Sequence, residues 1–295
     1  MSEKQNIAEE KPKQSIEYRT PNGALIAIGG RENKGDEPGE DDNSHNNLNF
    51  VKNEILERFV QELPTKNPLI LVIPTASSYP EEVGQTYVKV FHQLNVKNVQ
   101  VLDIRTREDS CKEEYLDLVR KAQGIMFTGG DQLKLTAVFG GTEIMRLMKE
   151  RYFKEHLVIA GTSAGAAAMS TQMIYQGMSG GGFIKGSVSI TAGLELLNDA
   201  AIDTHFITRG RIVRMAQMIA TNPSFIGIGL EEDTGIVVKK GREIEVIGSG
   251  LVVIVDGRGS TGSNIYKVEE GVPVTIRDLK VHLLGKGDTY TMEIF

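Results

Sequence analysis

From Gly23 to Met169 the chain alternates short, almost wholly apolar runs with segments whose apolar residues recur at helical spacing. The runs are GALIAIGG at 23–30, PLILVIP at 68–74, Val99–Ile104, Gly124–Phe127 and Leu157–Ala160. The helical segments are Phe50–Leu63, Glu81–Leu94, Cys111–Ala122 and Asp131–Glu150, the last forming one or two helices. A strand that is apolar on both sides must be covered on both faces, and strand–helix alternation supplies that cover. The pattern predicts an α/β fold around a mostly parallel sheet. Such sheets bind ligands at the carboxyl ends of their strands, where loops enter helices. Three of those loops carry glycine: Gly29-Gly30, Gly129-Gly130 and Gly161.

The flanking segments differ. Residues 1–21 are polar, charged and aperiodic, and read as a disordered leader. Arg31–Asn47, RENKGDEPGEDDNSHNN, reads as a solvated acidic loop inserted into the fold, with no carboxylate spacing that would cage a cation. In the second half, Met178–Gly182 reads as a flexible loop and Thr204–Ala220 as a long helix bearing arginines. From Gly235 on, apolar alternation broken by Lys-Lys-Gly and Gly-Ser-Gly marks antiparallel hairpins. No Pro/Ser-rich linker divides the chain, so residues 22–295 are expected to form one α/β domain.

Composition removes several classes of function. One cysteine permits neither an internal disulfide nor a thiolate metal cluster. The longest apolar runs are strand-length, too short to span a bilayer. The first residues lack the apolar core of a secretory signal, so a cytoplasmic, water-soluble protein is expected. A formal net charge of -6 argues against nucleic acid as the main partner. Much of that acidity is local, since residues 1–48 hold 10 acids and 6 bases.

The richest segment is LVIAGTSAGAAAMS at 157–170, an apolar strand running through Gly-Thr-Ser-Ala-Gly into a helix-forming alanine run. This is the local context of a nucleophile elbow, G-x-S-x-G. Gly161 and Gly165 let the backbones pack closely around the turn, and Ser163 Oγ is presented at the start of the helix. The Ala164 amide points to the same place and can serve as one oxyanion donor. An anion-binding strand-to-helix turn is the competing reading.

A serine nucleophile needs a base. Of the five histidines, His45 lies in the acidic loop, His92 and His282 on amphipathic or hairpin surfaces, and His156 at the amino end of the elbow strand. His205 remains, in AIDTHFITRGRIVRM, beside Asp203 and the arginines 209, 211 and 214, a charged cluster suited to a polar pocket. Asp203, Glu231, Glu232 and Asp233 are all candidates for the carboxylate that orients the imidazole. In IMFTGGDQ at 125–132, paired glycines after a strand offer a second oxyanion amide, Gln132 adds a side-chain donor, and Asp131 suits a helix N-cap.

Taken in order, IMFTGGDQ, GTSAGA, DTHFITRGRIVR and IGLEEDTG resemble the serine peptidase family that contains the cyanophycinases and peptidase E, over roughly residues 22–256. The resemblance implies a flavodoxin-like three-layer sandwich, similar to class I glutamine amidotransferases. It implies Ser163 as nucleophile, His205 as base and Glu232 as its carboxylate, with the Gly130 and Ala164 amides holding the oxyanion. It further implies a substrate pocket lined by Gln132, Asp203, Thr204, Arg209, Arg211 and Arg214, no metal or organic cofactor, and a homodimer.

The expected substrate is cyanophycin, a poly-aspartate carrying arginine on its side chains and cleaved to β-Asp-Arg dipeptides, or else short aspartyl peptides. Pocket arginines suit carboxylates, which they bind bidentately. Two features depart from the family pattern: Thr204 stands where it has Gln, and the loop 31–47 is additional. A nucleotide-binding module is disfavoured because no GxxxxGK[ST] occurs. An amidotransferase is disfavoured because the elbow carries serine while Cys111 begins a helix elsewhere.

Overall fold

The computed structural model describes residues 20–35, 49–177 and 181–293. The expected leader, save its last residues, therefore lies outside the described residues, as do 36–48 of the acidic loop and 178–180 of the Met178–Gly182 loop.

The alternation read from the sequence is the alternation of the fold. In chain order it runs β1 (Ala24–Ile28), α1 (Glu54–Gln61), β2 (Leu69–Ile73), α2 (Pro80–Gln93), β3 (Asn98–Val101) and α3 (Glu113–Lys121). It continues with β4 (Gly124–Phe127), α4 (Gln132–Phe139), α5 (Glu143–Lys154), β5 (Val158–Thr162) and α6 (Ala164–Ala168). The five strands pair in parallel in the order β1-β5-β4-β2-β3. Asp131 caps α4 through its side chain, accepting from the Leu133 amide at 2.9 Å.

Both faces of β1, β2, β4 and β5 are buried, which is why these strands are almost wholly apolar, whereas the edge strand β3, NVQV, alternates exposed and half-buried residues. On one face Ala24, Ile26 and Ile28 pack with Ile55, Leu56 and Phe59 of α1 and Tyr87 and Phe91 of α2. On the other, Leu25, Ala27, Ile125 and Phe127 pack with Leu135 and Phe139 of α4 and Met148 and Tyr152 of α5. Successive side chains of one strand thus serve opposite layers. This is the three-layer, mostly parallel sandwich expected.

The second half departs from the reading in two places. It contains β6 (Gln172–Gln176), β7 (Ser189–Ala192), β8 (Ala200–Thr204), α7 (Ile212–Thr221), β9 (Ile226–Leu230), β10 (Thr234–Lys239), β11 (Glu243–Gly248) and β12 (Val252–Asp256). Two short strands, β13 (Gly262–Ser263) and β14 (Ile276–Arg277), precede β15 (Lys280–Leu284) and β16 (Thr289–Thr291). The helix expected over Thr204–Ala220 begins only at Ile212. Residues 200–204 are a strand, and a turn through Gly210, at φ +60, separates it from α7.

The hairpin expected at Lys-Lys-Gly forms, β10 to β11, with Lys240 and Gly241 both at positive φ, 53° and 68°. It widens the main sheet beyond β1, and β16 closes that edge. The Gly-Ser-Gly at 248–250 makes no hairpin. Its backbone is tied back to Asp233 and Thr234, and β12 crosses into a second sheet of order β15-β12-β9-β8. One face of that sheet joins the main core through Ile202, Ile228 and Ile254. The other is covered by Met215, Met218 and Ile219 of α7.

Candidate active site

The elbow is built by close backbone packing. A Cβ on Gly161 would stand 2.6 Å from the Gly165 backbone, and one on Gly165 would stand 2.5 Å from the Phe127 carbonyl oxygen. Only glycine permits β4, β5 and α6 to converge in this way. Between β5 and α6, Ser163 takes φ 50° and ψ −110°, a conformation costly for a residue with a Cβ. Its amide is fixed by the Ile28 carbonyl at 2.9 Å.

Ser163 Oγ lies 3.0 Å from His205 Nε2, and His205 Nδ1 lies 2.6 Å from Glu232 Oε1. A carboxylate only accepts, so Nδ1 carries the imidazole proton and Nε2 accepts from the serine hydroxyl. The three groups come from three loops at the carboxyl ends of β5, β8 and β9. His205 also sits at positive φ, 48°, with its amide on the Gly29 carbonyl at 3.0 Å, so the second sheet is pinned to β1 beside the serine. Burial and the charges of Arg209 and Arg211 hold the imidazole below its ordinary 6.5, against the pull of Glu232. It is neutral at pH 7.

The carboxylate left open by the sequence has a defined neighbour. Glu232 faces His205, and its other oxygen lies 3.4 Å from Arg31 Nη1. Glu231 turns to the opposite side and accepts from the amides of Ile207 and Thr208 at 2.5 and 3.0 Å, and from the Thr208 hydroxyl. Asp233 accepts from the Asn33 amide and Ser249 Oγ. Adjacent carboxylates thus serve one imidazole and two loops.

Across the serine lies the β4–α4 turn. A Cβ on Gly129 would be 3.4 Å from the Ser163 Cβ and 4.0 Å from Oγ. Gly130 follows at φ +141, where a Cβ would strike the Ala76 carbonyl. Among the described residues its amide meets no hydrogen-bond acceptor. Ala164 opens α6, where a first-turn amide has no partner within the helix. Gln132 Nε2 donates to the Ile174 carbonyl at 3.2 Å, tying the start of α4 to β6.

The charged cluster differs in detail from the expectation of arginines turned to a ligand. Arg214, 4% exposed, is forked onto Asp203, 2% exposed, with Nε at 2.6 Å from Oδ2 and Nη2 on Oδ1, and it also reaches the Gly177 carbonyl. Arg211 lies 3.1 Å from Asp203 and 2.6 Å from the carbonyl of buried Thr204. Arg209 is exposed in the turn after His205. Asp203 is therefore engaged by two guanidinium groups of its own chain.

Two features of the site are hidden in the sequence. The carboxyl-end position of Gly29-Gly30 predicts a ligand loop, yet a Cβ on Gly30 would stand 2.5 Å from His205 Cε1, so Gly30 makes room for the imidazole. The composition of 31–47 predicts a solvated insertion, whereas Arg31 reaches Glu232 and Glu32 is buried. Strand-end position, three and four residues past β1, is the signal that marks them. A cleft of about 610 Å³ between Pro21, Phe153, Pro223 and Arg242 lies at the amino ends of β1 and β9 and includes none of these groups.

With respect to known proteins, the model of peptidase family S51 matches residues 31–247. The cyanophycinase of Geminocystis herdmanii is 37% identical over 237 residues, 80% of this chain and 87% of that protein. The cyanophycinase of Trichormus variabilis is 34% identical over 279 residues, covering 94% and 89%. The crystal structure of a peptidase from an acI-B1 actinobacterium shares the fold, with a TM-score of 0.64 at 20% identity over 93% of this chain and 98% of that one. No helix among the described residues is long and apolar enough to cross a membrane. The extent of these matches, together with the serine-bearing elbow, leads to one conclusion: the chain belongs to peptidase family S51 and is a serine-type peptidase.

Proposed function

We propose that this chain is a serine exopeptidase that hydrolyses the poly-aspartate backbone of cyanophycin to β-Asp-Arg dipeptides. The observation that carries the reading is the continuous chain Ser163 Oγ–His205 Nε2, His205 Nδ1–Glu232 Oε1, at 3.0 and 2.6 Å. The cyanophycinases at 34–37% identity supply the substrate.

In this reading His205 Nε2 takes the Ser163 proton as Oγ attacks the carbonyl carbon, and the Gly130 and Ala164 amides receive the oxyanion. Collapse breaks the C–N bond, and the proton on Nε2 passes to the leaving amine. Water then gives a proton to Nε2 and attacks the acyl-serine. The ester bond breaks, and the proton returns to Oγ. The Glu232 carboxylate orients the imidazole and stabilises the imidazolium formed in each half. Gln132, Thr204, Arg209 and Arg211 belong to the substrate side, while Asp203 and Arg214, buried and paired, are its scaffold. Asp203, held by Arg211 and Arg214, shapes the pocket rather than meeting a guanidinium of the substrate. Residues 22–295 act as one catalytic domain with neither metal nor organic cofactor, in the cytoplasm and as a homodimer, which light scattering tests.

The deciding experiment is the product spectrum on cyanophycin granules beside that on Asp-X dipeptides. Release of β-Asp-Arg, absent in Ser163→Ala, is expected. Turnover of Asp-X dipeptides alone would replace the substrate with that of a peptidase E-like enzyme. Retained hydrolysis in Ser163→Ala would overturn the serine mechanism.

A further inference from the structure

Glu32 is 3% exposed, in a stretch that is otherwise charged and polar. A buried carboxylate costs folding free energy unless donors surround it, so one that persists has a specific environment. Here Oε2 accepts from Thr162 Oγ1 at 2.5 Å, and Oε1 accepts from the Tyr87 hydroxyl and lies 3.0 Å from Lys34 Nζ. Burial pushes its pKa up, but the Lys34 charge and the hydrogen bonds from Thr162 and Tyr87 outweigh it and keep the group ionised.

Each partner has a position that matters. Thr162 is the last residue of β5, immediately before Ser163, and is itself buried. Tyr87 belongs to α2, on the opposite wall, and is 2% exposed. The neighbours of Glu32 reach the other half of the site: Gly30 abuts the His205 ring, Arg31 meets Glu232, and Asn33 donates to Asp233. One five-residue segment after β1 thereby touches the serine's strand on one side and the base and its carboxylate on the other.

We propose that Glu32 is a positioning residue, acting through Thr162 to fix Ser163 Oγ against His205 Nε2. It touches neither substrate nor the reacting atoms. The inference rests on the serine reading above and extends it. An error of about 1 Å in such a pair can cost about 10²-fold in rate.

The test uses the full chain and the rate at which a serine-directed phosphonate labels Ser163, with kcat and KM alongside and thermal melting as the folding control. Glu32→Gln and Thr162→Val each remove one side of the contact. Both are expected to slow labelling and lower kcat by about tenfold or more, with KM little changed. Thr162→Ser keeps the hydroxyl and is expected to label near the wild-type rate. If Glu32→Gln does not fold, the Thr162 pair decides alone. Folded Thr162→Val or Glu32→Gln protein that labels and turns over like wild type would overturn the proposal, as would equal loss in Thr162→Ser and Thr162→Val. Failure of the wild type to label would instead overturn both this inference and the serine mechanism beneath it.

Discussion

The imidazole of His205 rests against the bare α-carbon of Gly30: a methyl group there would stand 2.5 Å from Cε1 and 2.6 Å from Nε2. The ring is thus held in place from behind by the absence of a side chain. Gly30 also sits at φ +103, which an L-residue adopts only under strain. Gly30→Ala is expected to displace the ring and lower kcat by about 10²-fold, and to cost about 1–3 kcal/mol of stability. Steady-state kinetics beside urea unfolding check both. Wild-type kcat in a folded variant would mean that the ring does not need its present position.

The depressed pKa of His205 predicts the acid limb of the pH profile. The neutral imidazole is the competent form, so the limb of kcat/KM should fall below the ordinary 6.5. Burial is the largest cause and the positive charges of Arg209 and Arg211 add to it, so Arg209→Gln should move the limb upward by part of the difference. Stability follows the same sign. Between the folded pKa and 6.5 the unfolded chain binds more protons, so His205 withdraws stability as pH falls through that window. A limb above 6.5 would contradict the geometry of the base.

Glu231 and Glu232 should separate cleanly when replaced. Glu232→Gln keeps the shape but loses the anion that stabilises the imidazolium, and should lower kcat by about 10³–10⁴-fold with little effect on folding. Glu231→Gln loses charge-assisted bonds from the Ile207 and Thr208 amides. It should cost about 1.5–3 kcal/mol of stability, with a smaller effect on kcat. The reverse pattern, read from kinetics and thermal melts, would reassign the two carboxylates.

The first half of the fold and the serine were legible because local rules decide them. Apolar runs of strand length, helical spacing and a strained glycine-flanked turn are all written within a few residues. The second sheet was not legible: its strands are as long as those of the first, but which sheet β12 joins depends on contacts with Asp233 and Thr234 rather than on its own pattern. The choice between Glu231 and Glu232 turned on one residue of register, which alternation alone leaves open. Glu32 and Arg31 were concealed by composition, since an acidic, glycine-containing stretch reads as solvated even where Glu32 is buried and exposed Arg31 reaches Glu232. The arginine cluster showed its charges in the sequence but not its pairing, because Asp203 meets Arg214 only when β8 runs into the turn before α7.

That pairing divides the arginines by what their removal should do. Arg214 and Asp203 are both buried, so deleting Asp203 strands the Arg214 charge in the interior, and deleting Arg214 leaves Asp203 with Arg211 alone. Arg214→Met or Asp203→Ala alone should cost about 3–5 kcal/mol, and the double variant should recover much of that. Arg209 is exposed, and Arg209→Ala should change stability by no more than about 0.5 kcal/mol. If it meets substrate carboxylates, its loss appears as a raised KM on cyanophycin with a smaller change in kcat. Denaturant midpoints and Michaelis curves on the four proteins make the separation. A destabilised Arg209→Ala, or a Arg214→Met as stable as wild type, would reverse the division between scaffold and substrate contact.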